Sequence, residues 1–151
     1  MSSSDPDQAL ECLKKLVSNL SNLALSESDS RAKIIDPIFK ECLGWDEKDI
    51  TRDESVHKGF IDYVFKIDGR VMFILEAKKI GRSFIIPLSH KKRRYKINGA
   101  ISTDRKIKEA IDQAHRYSIE AGTTFAVVSN GVNSSYLNLS NTAESGERDF
   151  A

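Results

Sequence analysis

The stretch Gly59-Phe60-Ile61-Asp62-Tyr63-Val64-Phe65-Lys66-Ile67-Asp68-Gly69-Arg70-Val71-Met72-Phe73-Ile74-Leu75-Glu76-Ala77-Lys78 decides the fold. Residues 60–66 and 71–79 are β-branched, aromatic or alternating, and Asp68-Gly69 between them is a strong hairpin signal, so the pattern predicts two adjacent antiparallel strands. Asp62 begins the first. Glu76 and Lys78 lie two apart near the end of the second, where the period of a strand sends both side chains to one face. Three ionisable groups therefore meet on otherwise apolar strands. Two carboxylates about 4 Å apart repel by roughly 4 kcal/mol at an effective dielectric of about 20, which a marginally stable domain does not carry without a cation. Lys78 supplies part of that charge. A divalent ion would supply the rest, and two carboxylates with a backbone carbonyl and water form a hard-oxygen set suited to Mg²⁺ or Mn²⁺.

Register decides whether this convergence is real. A plain two-residue Asp68-Gly69 loop would set Ile67 opposite Arg70 and Asp62 opposite Leu75, turning Glu76 to the other face of the sheet. An odd-length loop, or an equivalent bulge, restores Asp62, Glu76 and Lys78 to one face, and is the expected arrangement.

Outward from the hairpin, Ala9, Leu10, Leu13, Leu16, Val17, Leu20 and Leu23 recur at helical spacing. A serine- and acid-rich break over 26–30 offers helix caps, and a second apolar stripe runs through Ile34, Ile35, Ile38, Phe39, Cys42 and Leu43 to Gly44. Pro37 interrupts it, so the helix either kinks there or restarts with Asp36 as cap and Pro37 in the first turn. A third helix is expected over 104–121, with Ile107, Ala110, Ile111, Ala114 and Ser118 on one face and Gly122 as terminator. A buried strand over 123–129 and a further one over 135–139 follow. The order predicts a mixed α/β domain, a small sheet flanked by helices. The reading divides the chain into an amino-terminal amphipathic helix over 1–25, a domain over 26–140 and a polar tail or linker over 141–151, as in the amino-terminal piece of something longer.

The 151 residues carry 23 Lys plus Arg against 22 Asp plus Glu, a net charge of +1, and 40% are hydrophobic, enough to bury an ordinary core. Disorder and collagen-like repeats are excluded. No apolar run exceeds five residues, far short of the roughly 20 that cross a bilayer, so the expectation is a soluble, cytoplasmic protein without a membrane partner. Cys12 and Cys42 lie in no CxxC or Cys/His cluster, which supports neither a disulfide framework nor a zinc knuckle. The balanced charge conceals a segregation. Between Ala77 and Thr103 there is no Asp or Glu, yet Lys78, Lys79, Arg82, Lys91, Lys92, Arg93, Arg94 and Lys96 all fall there. Such a patch suits an anion; a solvated loop is the plainer alternative.

With these features assembled, Gly59-Phe60-Ile61-Asp62-Tyr63, then Glu76-Ala77-Lys78, then Gln113-Ala114-His115-Arg116-Tyr117, resembles the G-x-x-D-Y, E-x-K and Q-x-x-x-Y motifs of the PD-(D/E)xK nuclease superfamily. The upstream ESDSRAKIIDPIFKECLGW and downstream AVVSNG are similar, more narrowly, to the amino-terminal nuclease domain of type I restriction enzyme motor subunits. The resemblance covers about residues 26–137 and departs from the superfamily pattern at Ile61, where the naming proline would stand.

The resemblance implies a restriction-endonuclease-like core and a Mg²⁺-dependent endonuclease that hydrolyses DNA phosphodiester bonds. By the same token, the chain would be the nuclease module of a restriction or antiviral defence protein, covalently linked to ATPase, helicase or sensor domains. Asp62, Glu76 and the Ala77 carbonyl would hold the metal, with Mn²⁺ as an alternative ion, and Lys78 would orient or help deprotonate the attacking water. Gln113 would sit beside the site, and Tyr117, one helical turn on, would reach substrate or Lys78. Glu27, or alternatively Asp29, would complete the acidic set. Arg82, Lys91, Lys92, Arg93, Arg94 and Lys96 would track the nucleic-acid backbone. Cutting both strands would require a homo-oligomer or successive nicks. The alternative reading is a catalytically inactive nuclease-like module that binds nucleic acid or a protein partner.

Overall fold

The computed structural model describes residues 5–20, 26–78, 95–96, 105–130, 134–138 and 149–150. Helix α1 (Pro6–Asn19) opens with Asp5 accepting from the Asp7 N–H and Pro6 in the first turn. Ser26 caps α2 (Glu27–Ser30), which runs directly into π-helical turns at Arg31–Ile35 and Ile38–Cys42. The helix thus neither breaks nor restarts at Pro37. Asp36 donates to the Arg31 carbonyl and Leu43 to that of Ile38, wider than α spacing, and this widening on both sides accommodates a residue with no N–H.

A 3₁₀ turn (Glu47–Asp49) leads into β1 (Ile50–Val56), a strand the sequence pattern does not reveal. Strands β2 (Gly59–Ile67) and β3 (Arg70–Ala77) form the expected hairpin. After a two-residue strand β4 (Tyr95–Lys96) come α3 (Arg105–Ala121), β5 (Phe125–Ser129), β6 (Ser134–Asn138) and β7 (Asp149–Phe150), the last paired within what reads as a polar tail. The sheet order is β1-β2-β3-β5-β6-β7-β4. All described pairings are antiparallel except β3 with β5, whose parallel join spans α3.

The hairpin solves the register problem by a bulge. Asp68 (φ 50) and Gly69 (φ 77) are both left-handed, as a type I′ turn requires, and Ile67 stands opposite Arg70. The pairing then slips between Lys66↔Val71 and Phe65↔Phe73, leaving Met72 as the extra residue. From there Tyr63 pairs with Leu75, the last pair of this ladder, so Asp62 and Glu76 follow next on the two strands.

Apolar layers cover both faces. Under α3, Ile107, Ala110, Ile111, Ala114 and Tyr117 pack on Ile61, Val64, Ile74, Ala126 and Val128. On the other face Ile35, Phe39 and Trp45 pack on Ile50, Tyr63, Phe65, Phe73 and Leu75. Phe65 centres that layer, with Phe39 and Phe73 ring centroids 4.5 and 4.4 Å away. Among the described residues no helix is long and apolar enough to cross a membrane.

The two cysteines depart from expectation. Cys12 of α1 and Cys42 form a disulfide across 30 residues of sequence. Their spacing hides the pairing because it arises only when α1 packs on the turn that ends at Cys42.

Candidate functional site

Asp62 lies where the side-chain alternation of β2 breaks. Ile61 and Val64, three apart, both face α3, whereas Tyr63 and Phe65 face the opposite layer. At the same point on the neighbouring edge strand Asp53 is left-handed (φ 52), and the ladder runs from Arg52↔Tyr63 to Glu54↔Ile61 past it. Distortions of this kind re-aim a side chain. Here Asp62 Oδ2 accepts the Ala77 N–H at 2.7 Å, tying the end of β3 to β2.

Glu76 is only 1% exposed, between the β2 partner and Val128 of β5. Burial, together with the neighbouring Asp62 carboxylate, pushes its carboxyl up to about 8, and Lys78 offsets only part of that. Its Oε1 has no hydrogen-bond partner among the described residues, while Oε2 lies 3.6 Å from Lys78 Nζ. The Asp62 carboxyl is also raised, by burial, against the opposing effects of the Ala77 N–H, Arg31 and Lys78.

Lys78 follows the last residue of β3 and is fixed at both ends. Its N–H donates to the Ser129 carbonyl at 2.7 Å, and its Nζ donates to Gln113 Oε1 at 3.0 Å. Gln113 thereby brings α3 into the site. Tyr117, one turn on, is buried; its hydroxyl accepts from Gln113 Nε2 at 3.4 Å and donates to the Lys58 carbonyl at 3.3 Å. Its contact with Lys78 therefore runs through Gln113. The same hydroxyl explains Gly59: a Cβ there would sit 2.5 Å from it, and φ is +132°.

Of the remaining expected residues, Glu27 is exposed in the first turn of α2. Asp29 engages Ser26 and Lys33, which hold its carboxyl below the ordinary range. Neither has a described contact with Asp62 or Glu76. Arg82, Lys91, Lys92, Arg93 and Arg94 lie outside the described residues, as does the side chain of Lys96, whose backbone pairs with Asp149.

Arg31 and Asp53 also meet at the site, although no motif in the sequence points to either. Arg31 Nη1 donates to Asp53 Oδ1 at 2.9 Å and lies 3.5 Å from Asp62 Oδ1; Nη2 donates to the Asp62 carbonyl at 3.2 Å. Burial works against its charge, but Asp53, Tyr63 and Asp62 together outweigh that and raise its pKa. The only available signal was its position within a helix facing the strands, which names no partner.

The donor chemistry fits a divalent cation. A buried carboxylate oxygen without a partner, beside a second carboxylate, is the kind of group that a hard cation satisfies. Among the described residues no group of three or more His, Cys, Asp or Glu is arranged to hold a metal, and neither Glu27 nor Asp29 adds a third carboxylate to Asp62 and Glu76. No protein-family model, curated protein or solved structure matches the chain.

Proposed function

We propose that this chain is a metal-dependent endonuclease domain that hydrolyses DNA phosphodiester bonds, within a larger restriction or antiviral defence protein. The observation that carries the reading is the Met72 bulge, after which Tyr63 pairs with Leu75 and the Asp62 and Glu76 carboxyls, close enough to repel, stand beside a Lys78 ammonium anchored to Gln113. A strand-edge ion pair alone would not require a buried glutamate with an unpartnered oxygen.

In this reading Asp62, Glu76 and the Ala77 carbonyl hold Mg²⁺ or Mn²⁺, which when bound supplies Lewis-acid charge at the phosphate and eases deprotonation of water. The Ala77 N–H fixes one Asp62 oxygen and so orients the other. Lys78, held on Gln113, directs an N–H toward the attacking water and steadies the charge that develops on the phosphate. Gln113 and Tyr117 act as positioning residues, setting the height of Lys78 above the sheet.

The test is cleavage of linear, circular and single-stranded DNA by the purified chain with Mg²⁺, Mn²⁺ or chelator. Asp62→Ala and Lys78→Ala should abolish cutting with the fold intact by circular dichroism. Either variant cutting at the parental rate would remove these role assignments. Salt-sensitive DNA binding with no cutting under any condition would favour the inactive binding module instead.

A further inference from the structure

Arg31 brings a fixed positive charge into a site proposed to take a divalent cation. It cannot easily withdraw. Besides its contacts to Asp53 and both the carboxylate and the backbone of Asp62, its guanidinium carbon lies 5.0 Å from the centroid of the Tyr63 ring, and its side chain is 20% exposed. Asp53, the closest partner, reaches it from a left-handed position in the middle of an edge strand, a conformation that a non-glycine residue keeps only when its surroundings impose it.

Resting on the metal-dependent reading above, we infer that Arg31 is an internal cation. It holds the Asp62 carboxylate when no metal is bound and weakens the site for a divalent ion, and Asp53 offsets that effect. The electrostatics set opposite signs for the two partners. Taking away the guanidinium removes a like charge adjoining a metal ligand, so metal binds more tightly. Taking away the Asp53 charge leaves Arg31 less compensated, so metal binds more weakly.

Titration calorimetry of Mn²⁺ into the chelator-stripped full chain tests this. Arg31→Gln should tighten Mn²⁺ binding by roughly tenfold, Asp53→Asn should weaken it by a similar factor, and Arg31→Lys, which keeps the charge, should stay within about threefold of the parent. Structural damage alone would weaken binding in every variant, so opposite directions for Arg31→Gln and Asp53→Asn support the inference. Tighter binding that fails to appear in Arg31→Gln while the parent binds Mn²⁺ overturns it and leaves the nuclease reading standing. Should Arg31→Gln not fold, undiminished affinity in Asp53→Asn overturns it equally. No Mn²⁺ uptake by the parent overturns both.

Discussion

Replacing Glu76 by Gln separates the chemistry of the site from the architecture around it. The folded carboxyl sits at about 8 against an ordinary 4.5, chiefly through burial, so the folded state holds a proton across that interval which the unfolded chain has released. Stability from this group is complete below the unfolded value and is lost as pH rises through the folded one. One bound proton corresponds to about 1.4 kcal/mol per pH unit, so the metal-free parent should lose about 3 to 4 kcal/mol between about pH 5 and pH 8. Against a typical total of about 5 to 15 kcal/mol that is a large fraction. Gln cannot ionise, so Glu76→Gln should run nearly level over the same range, and the difference between the proteins cancels the other titrating groups. Urea denaturation in chelator at three pH values measures it. Parallel slopes for the two proteins would refute the argument that Glu76 is a desolvated acid whose charge Lys78 only partly offsets. Added Mg²⁺ should restore the parent at the alkaline end and leave Glu76→Gln unmoved.

Gly59→Ala should destabilise the chain by about 2 kcal/mol in thermal or chemical unfolding, since the new methyl meets the Tyr117 hydroxyl in a backbone region disfavoured for L residues. Adding Tyr117→Phe removes the oxygen and should recover part of the loss; no recovery would mean that the backbone strain alone is responsible. Breaking the Cys12–Cys42 bond, by reductant or by a double Ser substitution, releases a loop of 30 residues in sequence separation and should cost up to about 3 to 4 kcal/mol. Limited proteolysis should then cut first around α1, and an unchanged digestion pattern would show that α1 is held by packing instead.

The hairpin was legible because its determinants are local: alternation in the strands and Asp-Gly in the turn. The need for an extra residue was legible too, but not its location. A type I′ turn at Asp68-Gly69 is satisfied by the sequence as it stands, so the correction falls instead at Met72, where nothing in the residue type announces a bulge. Strand β1 escaped because ITRDESV is an edge strand with half-exposed positions, and a polar edge leaves no alternating apolar signal. The helix through Pro37 was obscured for the opposite reason: the local rule against proline is strong, and the π turns that evade it depend on packing against the sheet. Cys12 with Cys42 and Arg31 with Asp53 are long-range pairings, created by the docking of one layer on another, and no spacing in the chain encodes them. Gln113 was named only through the resemblance; the structure gives it a hydrogen bond from Lys78, and its role there belongs to the proposal.

The nuclease proposal requires Asp62 and Glu76 to hold a divalent cation between them. In crystals of the chain soaked in MnCl₂ and measured near the manganese absorption edge, an anomalous peak bounded by the Asp62 and Glu76 carboxylates is expected, absent from Asp62→Ala crystals; a well-ordered parent site with no peak there would overturn the metal site.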